Sequence, residues 1–280
     1  MAIRIVTDST CDLPLEVVIE HAITVVPLYI NIGSKSYLDG VDITRQEFYT
    51  ALPDYDPFPR TAVPGPGKFS KVYNELVGEG ATHILSIHIS PSLSAVDNSA
   101  RLAAESIEGA QVTVIDSGQL SLGLGFIVQL AAQAAADGRS VSEIISLVNE
   151  LKTRAYVFAV LDTTEFLRRS GRVSGLVNSL GTLLQIKPIL KMHNGKSESE
   201  KIRTSKVASK RLIELVQEVS PIDRLALVHT NNQEGARALW QQTHHLFPDM
   251  PDPIDANVTP VIGAHIGPGA VGFACLAAAR

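Results

Sequence analysis

The chain has 280 residues, 45% of them hydrophobic and 19% charged, a formal net charge of −5 and a mean hydropathy of +0.14. This balance excludes a disordered chain, which needs low hydrophobicity and high net charge, and the mild acidity argues against general nucleic-acid binding, which leaves a basic footprint. Only 5% of residues are aromatic, so the apolar content is aliphatic, and a large core, an interface or an apolar ligand cavity must account for it.

The amino terminus, MAIRIVTDST, does not read as a signal peptide, because its apolar stretch is short and runs at once into Thr7, Asp8 and Ser9. No uninterrupted stretch approaches the roughly 20 apolar residues of a membrane span. Cys11 and Cys275 lie far apart, and no Cys/His spacing resembles a zinc site. A cytoplasmic protein with neither metal nor cofactor is the expectation.

Ile3–Val6 is a short β-branched run closed by polar residues and reads as a buried strand. Asp12 and Pro14 suit the start of a short helix. Ile23–Ile32 reads as one strand, with Lys35–Leu38 pairing back through Gly33–Ser34. Thr44-Arg-Gln-Glu47 is a capping box. Leu52–Gly67, with five prolines and no periodicity, reads as a loop. A helix follows through Phe69, Val72, Tyr73, Leu76 and Val77, then strand His83–Ile89, helix Ser94–Ile107, strand Val112–Ile115 and the Ala-rich helix Leu120–Ala136. Ser140-Val-Ser-Glu143 caps one more helix.

This strand–helix alternation implies a parallel sheet covered on both faces. From Ala155 the rhythm changes. A strand (Tyr156–Leu161) and a short helix (Asp162–Arg169) precede two strands, Gln185–Met192 and Ser197–Arg203. Between those two, His193-Asn194-Gly195-Lys196 reads as a hairpin turn. Helix Ser205–Val219, strand Arg224–His229, helix Glu234–Leu246 and a Gly-punctuated apolar tail complete the chain. The expected fold is α/β in two domains: residues 1–153 as a three-layer parallel-sheet domain, and residues 154–280 as a mixed-sheet α/β domain.

Polar residues interrupt apolar surroundings at Asp8-Ser9-Thr10, Thr61, Ser90–Ser94, Arg168–Arg172 and Gly263–Gly269. Ligands in open α/β sheets collect at the carboxyl ends of strands. Ser94 suits a helix N-cap, where the helix dipole favours an anion. Hydroxyls of Thr61 and Ser94 can donate to a carboxylate or phosphate, and Arg172 or His265 can supply a cationic donor. Each residue also has an ordinary reading: Ser94 as a cap, Thr61 as an exposed hydroxyl, Arg172 as solvated charge, His265 as a core imidazole, and Asp8 as the anchor of its own turn. An enzyme acting on a small phosphorylated or hydroxylated substrate at an Asp8/Thr61/Ser94 face therefore stays open at this level. No GxxxxGK[ST] loop and no GxSxG elbow occur, and Gly123-Leu-Gly125 lacks the third glycine of a dinucleotide fingerprint.

Taken in order, Val6-Thr-Asp-Ser-Thr-Cys-Asp-Leu-Pro14, Asp39-Gly-Val-Asp42, Thr61, Leu93-Ser94, Val114-Ile-Asp-Ser117, Gly171-Arg172-Val-Ser174, Lys187-Pro-Ile189 and Thr259–Gly269 resemble the DegV family of bacterial lipid-binding proteins. The resemblance covers essentially the whole chain. It implies one long-chain fatty acid buried between two α/β domains, and a non-catalytic role presenting that lipid to a separate, ATP-binding fatty acid kinase subunit. By motif position, Thr61, Ser94, Arg172 and His265 hold the carboxylate, and aliphatic residues around Leu176–Leu190 and Val258–Ile266 line the acyl slot. A lipid carrier with no kinase partner is the alternative within the same resemblance. Three places depart from the family pattern: Thr61-Ala62-Val63-Pro64 stands for Thr-Ser-Gln-Pro, Ser90-Pro-Ser-Leu-Ser-Ala-Val96 for Ser-Ser-Gly-Leu-Ser-Gly-Thr, and Ser170-Gly171-Arg172 for Gly-Gly-Arg.

Overall fold

The computed structural model describes residues 2–170 and 186–279. Strands β1 (Ile3–Asp8), β2 (Thr24–Val26), β6 (His83–His88) and β7 (Gln111–Asp116) form a parallel sheet in the order β2-β1-β6-β7. The last four residues of β1 are all buried, as in a strand covered on both faces. Helices α3 (Pro66–Gly78) and α4 (Val96–Ala104) pack together, with α4 along β6 and β7. Short helices α1 (Leu15–Glu20) and α2 (Arg45–Ala51) follow β1 and β4 (Lys35–Leu38), and the Thr44–Glu47 capping box opens α2.

The second sheet is mixed, in the order β10-β9-β8-β13-β11-β12. It comprises β8 (Ala155–Val160), β9 (Lys187–His193), β10 (Lys196–Ile202), β11 (Ile222–His229), β12 (Ile254–Asn257) and β13 (Val271–Ala277). Only β11 and β12 run parallel; the other neighbours are antiparallel. Asn194 and Gly195 both take positive φ in the β9–β10 turn, the requirement that Asn-Gly meets. On the outer face, Phe158, Leu227 and Phe273 pack against Leu212 and Leu215 of α8 (Ser205–Glu218) and Leu239 of α9 (Gln233–Thr243).

Helix α5 (Ser121–Ala136) fills the layer between the sheets, lying along β1 on one side and β8, β11 and β13 on the other. Its sequence, SLGLGFIVQLAAQAAA, is apolar all round, the pattern of a helix with no solvent face. Two glycines admit close approach on opposite sides. A methyl group at Gly123 would stand 2.8 Å from Val157 Cγ2 of β8, and one at Gly125 would stand 2.6 Å from the Cys11 carbonyl oxygen. The Gly-Leu-Gly triplet is thus a packing device. One continuous core runs from Ile5, Leu85 and Ile87 through Leu122, Leu124 and Val128 to Ala226, Val228 and Ala274. The chain passes from α6 (Val141–Arg154) directly into β8, after which comes the short helix α7 (Glu165–Ser170).

Two readings of the sequence are corrected. Ile23–Ile32 is two strands in different sheets: β2 joins the parallel sheet, while β3 (Tyr29–Ile32) is the centre of a small antiparallel sheet, order β4-β3-β5. Pro27 lies at the switch, where a ladder donor is missing. The N–H of Leu28 is taken by Ser9 Oγ at 3.2 Å, and its carbonyl accepts from the Asp39 N–H at 2.9 Å. The stretch Leu52–Gly67 is not all loop: β5 (Arg60–Ala62) pairs with β3 at the sheet edge, between Pro59 and Pro64, with β4 (Lys35–Leu38) on the far side. An edge strand tolerates flanking prolines. Cys11 and Cys275 are both free and buried, and burial pushes each thiol up to about 12.

Gly125→Ala is expected to lower stability by about 1–3 kcal/mol through overpacking, although alanine raises helix propensity by about 1 kcal/mol. Urea unfolding of the variant measures this; an unchanged or raised midpoint would show that α5 can shift away from the Cys11 carbonyl.

Candidate functional site

A cavity of about 480 Å³ lies beside the amino-terminal end of α5, between the two sheets. That volume falls within the range of about 300–1,000 Å³ usual for small-molecule sites. On one side it meets Leu28, Ile89, Leu93 and Leu120; on the other, Val157, Ala159, Leu190 and Met192 from the inner face of the second sheet. Val258, Val261, Ile262 and Ile266, on and before the short helix α10 (Pro260–Ile266), close a third wall. Among the described residues no Phe, Tyr or Trp side chain lines it. Lys191 alternates to the opposite face of β9 from Leu190 and Met192, where its ammonium pairs with Glu198 and Glu200 at 3.0 and 3.1 Å.

Thr61, Ser94 and His265 all line this cavity. Thr61 stands on β5 opposite Ile30, and its Oγ1 lies 3.0 Å from Nε2 of His265, on the last turn of α10. Residues 204 positions apart are thereby joined across the cavity wall. Ser94 is not the helix cap that its sequence suggests: α4 begins at Val96 after Ala95, and Ser94 sits in a turn, its N–H donating to the Ser90 carbonyl at 3.2 Å. Its hydroxyl is therefore not committed to the helix start. Arg172, like the stretch 176–185 expected along the acyl slot, falls outside the described residues.

Asp8 does not line the cavity. It belongs to a buried polar series in the first sheet. The Tyr73 hydroxyl donates to Ser86 Oγ at 2.8 Å, Ser86 lies 2.7 Å from His88 Nε2, and His88 Nδ1 lies 2.9 Å from Asp8 Oδ2. The Ile89 and Thr10 N–H groups also donate to Asp8, each at 3.1 Å. Burial raises the Asp8 carboxyl, but the His88, Thr10 and Ile89 interactions outweigh it and hold the group below the ordinary value. Asp8, His88 and Ser86 are each 0% exposed, so an arrangement that looks nucleophilic on paper meets no substrate. A catalytic Asp8/Thr61/Ser94 face is therefore not what the fold builds.

A second cavity, about 400 Å³, lies at the carboxyl ends of β11 and β12. Its lining is wholly polar, including His229, Asn232, Asp255 and Asn257, and offers no surface to an apolar chain. Among the described residues no group of His, Cys, Asp and Glu side chains is placed to hold a metal ion, and no helix is long and apolar enough to cross a membrane.

The family model described as an uncharacterised protein of the DegV family matches residues 2–278. The chain belongs to the DegV family. A DegV domain-containing protein of Deinococcus radiodurans is 37% identical over 280 residues, covering 98% of each chain. Among solved structures, one described as fatty acid binding of a DegV family protein from Thermus thermophilus superposes with a TM-score of 0.90 at 33% identity, covering 99% of this chain and 100% of the other. DegV of Bacillus subtilis, described as a fatty acid binding protein, superposes with a TM-score of 0.89 at 31% identity, covering 99% of each chain.

The fold also explains the DegV marks that lie away from the cavity. Asp12, Asp39 and Thr259 meet in one buried cluster. Asp12 Oδ1 accepts the Thr259 N–H at 2.8 Å and pairs with Arg45 Nη2 at 3.1 Å, while Oδ2 accepts the Ser121 hydroxyl at 2.6 Å. The Thr259 hydroxyl donates to Asp39 Oδ2. Sequence reading missed this cluster, whose members lie far apart in the chain; Asp12 takes a positive φ in the structure. Burial raises the Asp12 carboxyl to about 6, with Arg45, Ser121 and Thr259 pulling the other way, and burial likewise raises Asp39.

Protonation of Asp12 therefore favours the folded chain. Between about pH 4 and 6 the folded state holds a proton there that the unfolded state has released, so stability rises as pH falls through that window. Relative to Asp12→Asn, the parent is expected to gain stability as pH falls from about 7 to 4.5 and to run parallel above about 7. Urea midpoints across this range test it; parallel curves throughout would contradict the assignment.

Proposed function

We propose that this DegV chain holds a long-chain fatty acid in the aliphatic cavity, with the carboxylate at Thr61 and His265, and presents it to a separate kinase subunit for acyl phosphate formation in the cytoplasm. The observation that carries the reading is the meeting of Thr61 and His265 on the wall of a cavity whose lining is mainly aliphatic. A polar pair set in a mainly apolar wall suits a molecule with one charged head and a long tail. The fatty acid binding ascribed to the Thermus and Bacillus proteins supports the same ligand class.

Burying a methylene is worth about 0.8 kcal/mol, so about 14 to 16 of them supply roughly 12 kcal/mol before the costs of association. Affinity comes from the tail, and the polar pair fixes which end faces outward. By motif position Ser94 and Arg172 complete the carboxylate contacts. No side chain need act as a nucleophile or hold a cofactor, since the phosphoryl group comes from the partner's ATP. Shielding an acyl phosphate from water is a second task for such a cavity.

Denaturing extraction and mass spectrometry of the purified protein are expected to release a stoichiometric fatty acid. Absence of any lipid, with no uptake of added palmitate, sinks the reading. Thr61→Val keeps the side-chain shape but removes the hydroxyl, and is expected to weaken palmitate binding roughly tenfold, the worth of one hydrogen bond to a charged group. Ser94→Ala is expected to impair ATP-dependent acyl phosphate formation far more than folding; parent-like phosphorylation would remove Ser94 from the site. Capture of a kinase subunit that forms acyl phosphate separates a presenting subunit from a lipid carrier.

A further inference from the structure

We propose that Asp12 is a positioning residue for the ligand site: together with Arg45, Asp39 and Tyr49 it clasps the segment that starts α10, and so sets His265 against Thr61. The ligand half of this inference rests on the reading above; the geometric half does not.

Residues 257–259 enter α10 from the end of β12, and four side chains from the first half of the chain take their polar groups. Arg45 Nη1 donates to the Asn257 carbonyl, the Tyr49 hydroxyl donates to the Val258 carbonyl at 2.9 Å, Asp12 accepts the Thr259 N–H, and Asp39 accepts the Thr259 hydroxyl. Arg45 uses its other terminal nitrogen on Asp12, which ties two of these contacts into one unit. The segment is therefore held at successive residues from the opposite half, and Val258 and Thr259 are buried.

From Thr259 the chain has one course to His265. Thr259 caps α10, with its hydroxyl accepting from the Val261 N–H at 3.3 Å, and Pro260 occupies the first turn, where a missing N–H costs nothing. Six residues of helix span about 9 Å. Midway, Gly263 lies against the Tyr49 ring so closely that a Cβ would overlap the hydroxyl. The clasp at one end and Tyr49 in the middle leave the last turn of α10 little freedom, and that turn carries His265. A hydrogen bond such as Thr61–His265 demands placement within roughly 0.5 Å, which a two-turn helix on loop anchors would not keep by itself.

Asp12 also touches the cavity wall directly. Ser121, the first residue of α5, lines the cavity and gives its hydroxyl to Asp12 Oδ2. One carboxylate thus holds α2 through Arg45, α5 through Ser121 and the start of α10 through Thr259. Stability does not account for an ionisable group here. Buried ion pairs are commonly matched or bettered by apolar residues of similar volume, and burial raises this carboxyl toward neutrality. What a carboxylate supplies, and an apolar side chain does not, is three directed contacts at one point.

The test compares Asp12→Ala, Asp12→Asn and Arg45→Met with the parent. Its readouts are the imidazole resonances of His265, the affinity for palmitate, and the unfolding midpoint. Asp12→Ala is expected to shift the His265 signals and to weaken palmitate at least tenfold while the chain remains folded. Asp12→Asn retains an acceptor for Thr259 and is expected to restore the His265 signals and most of the affinity. Leu239→Ala, in the outer core of the second sheet, serves as a control that lowers the midpoint without moving His265. Unchanged His265 signals in a folded Asp12→Ala chain overturn the proposal. Should that variant fail to fold, Arg45→Met, at a side chain 34% exposed, decides by the same signals. If palmitate binds neither parent nor variants, the ligand reading fails, and the His265 signals alone still judge the clasp.

Discussion

The architecture depends on one helix that is buried on every side over its first two turns. Helix α5 separates two sheets and packs on both, so its side chains set the distance between them. Alanines and the two glycines keep it thin, and its aliphatic residues weld the two halves into one core. Because α5 is the spacer, room between the two sheets opens where its helical body stops. The cavity lies at its amino-terminal end, with Leu120 and Ser121 in the wall.

Around that opening the buried polar groups divide into two sets with different work. The Tyr73–Ser86–His88–Asp8 series satisfies the end of β1 and the start of the following turn, and stays inside the first sheet. Asp12, Asp39 and Arg45 reach across to residues 257–259. Such groups are tolerable in a dry interior because nearly every oxygen has a donor. Between the two sets the cavity wall is mainly aliphatic, with Thr61, His265 and Ser94 among its polar members. The low aromatic content of the chain belongs to the same picture. Flexible aliphatic walls can follow a long chain, whereas aromatic rings would impose large flat surfaces.

Much of the fold was legible in the sequence. Periodicity marked the parallel sheet, its helices and the Asn-Gly hairpin, because burial of a whole face repeats every two or 3.6 residues. Where segments are shorter than a period the signal fails. Three residues, Arg60–Ala62, make a strand inside a proline-rich stretch, and Pro27 divides one apolar run between two sheets. Ser94 looked like a helix cap because capping and site hydroxyls share one chemistry; the structure starts the helix two residues later and leaves Ser94 in the cavity wall.

By itself the sequence determined the class of the fold, the family, and the identity of the polar residues that an apolar chain carries at unusual places. Those are local or cumulative properties, written in spacing and composition. Which polar residues meet was decided by tertiary structure alone. Thr61 finds His265, and Asp12 finds Thr259, 247 positions away, because α5 brings two sheets to a common distance and β12 delivers α10 against α2. Asp8 and Asp12 stand four residues apart in one motif, yet one is confined to the first sheet and the other joins both halves, because Asp12 takes a left-handed backbone that turns its carboxylate toward the interface. No local rule distinguishes them; the direction in which each side chain leaves the backbone does.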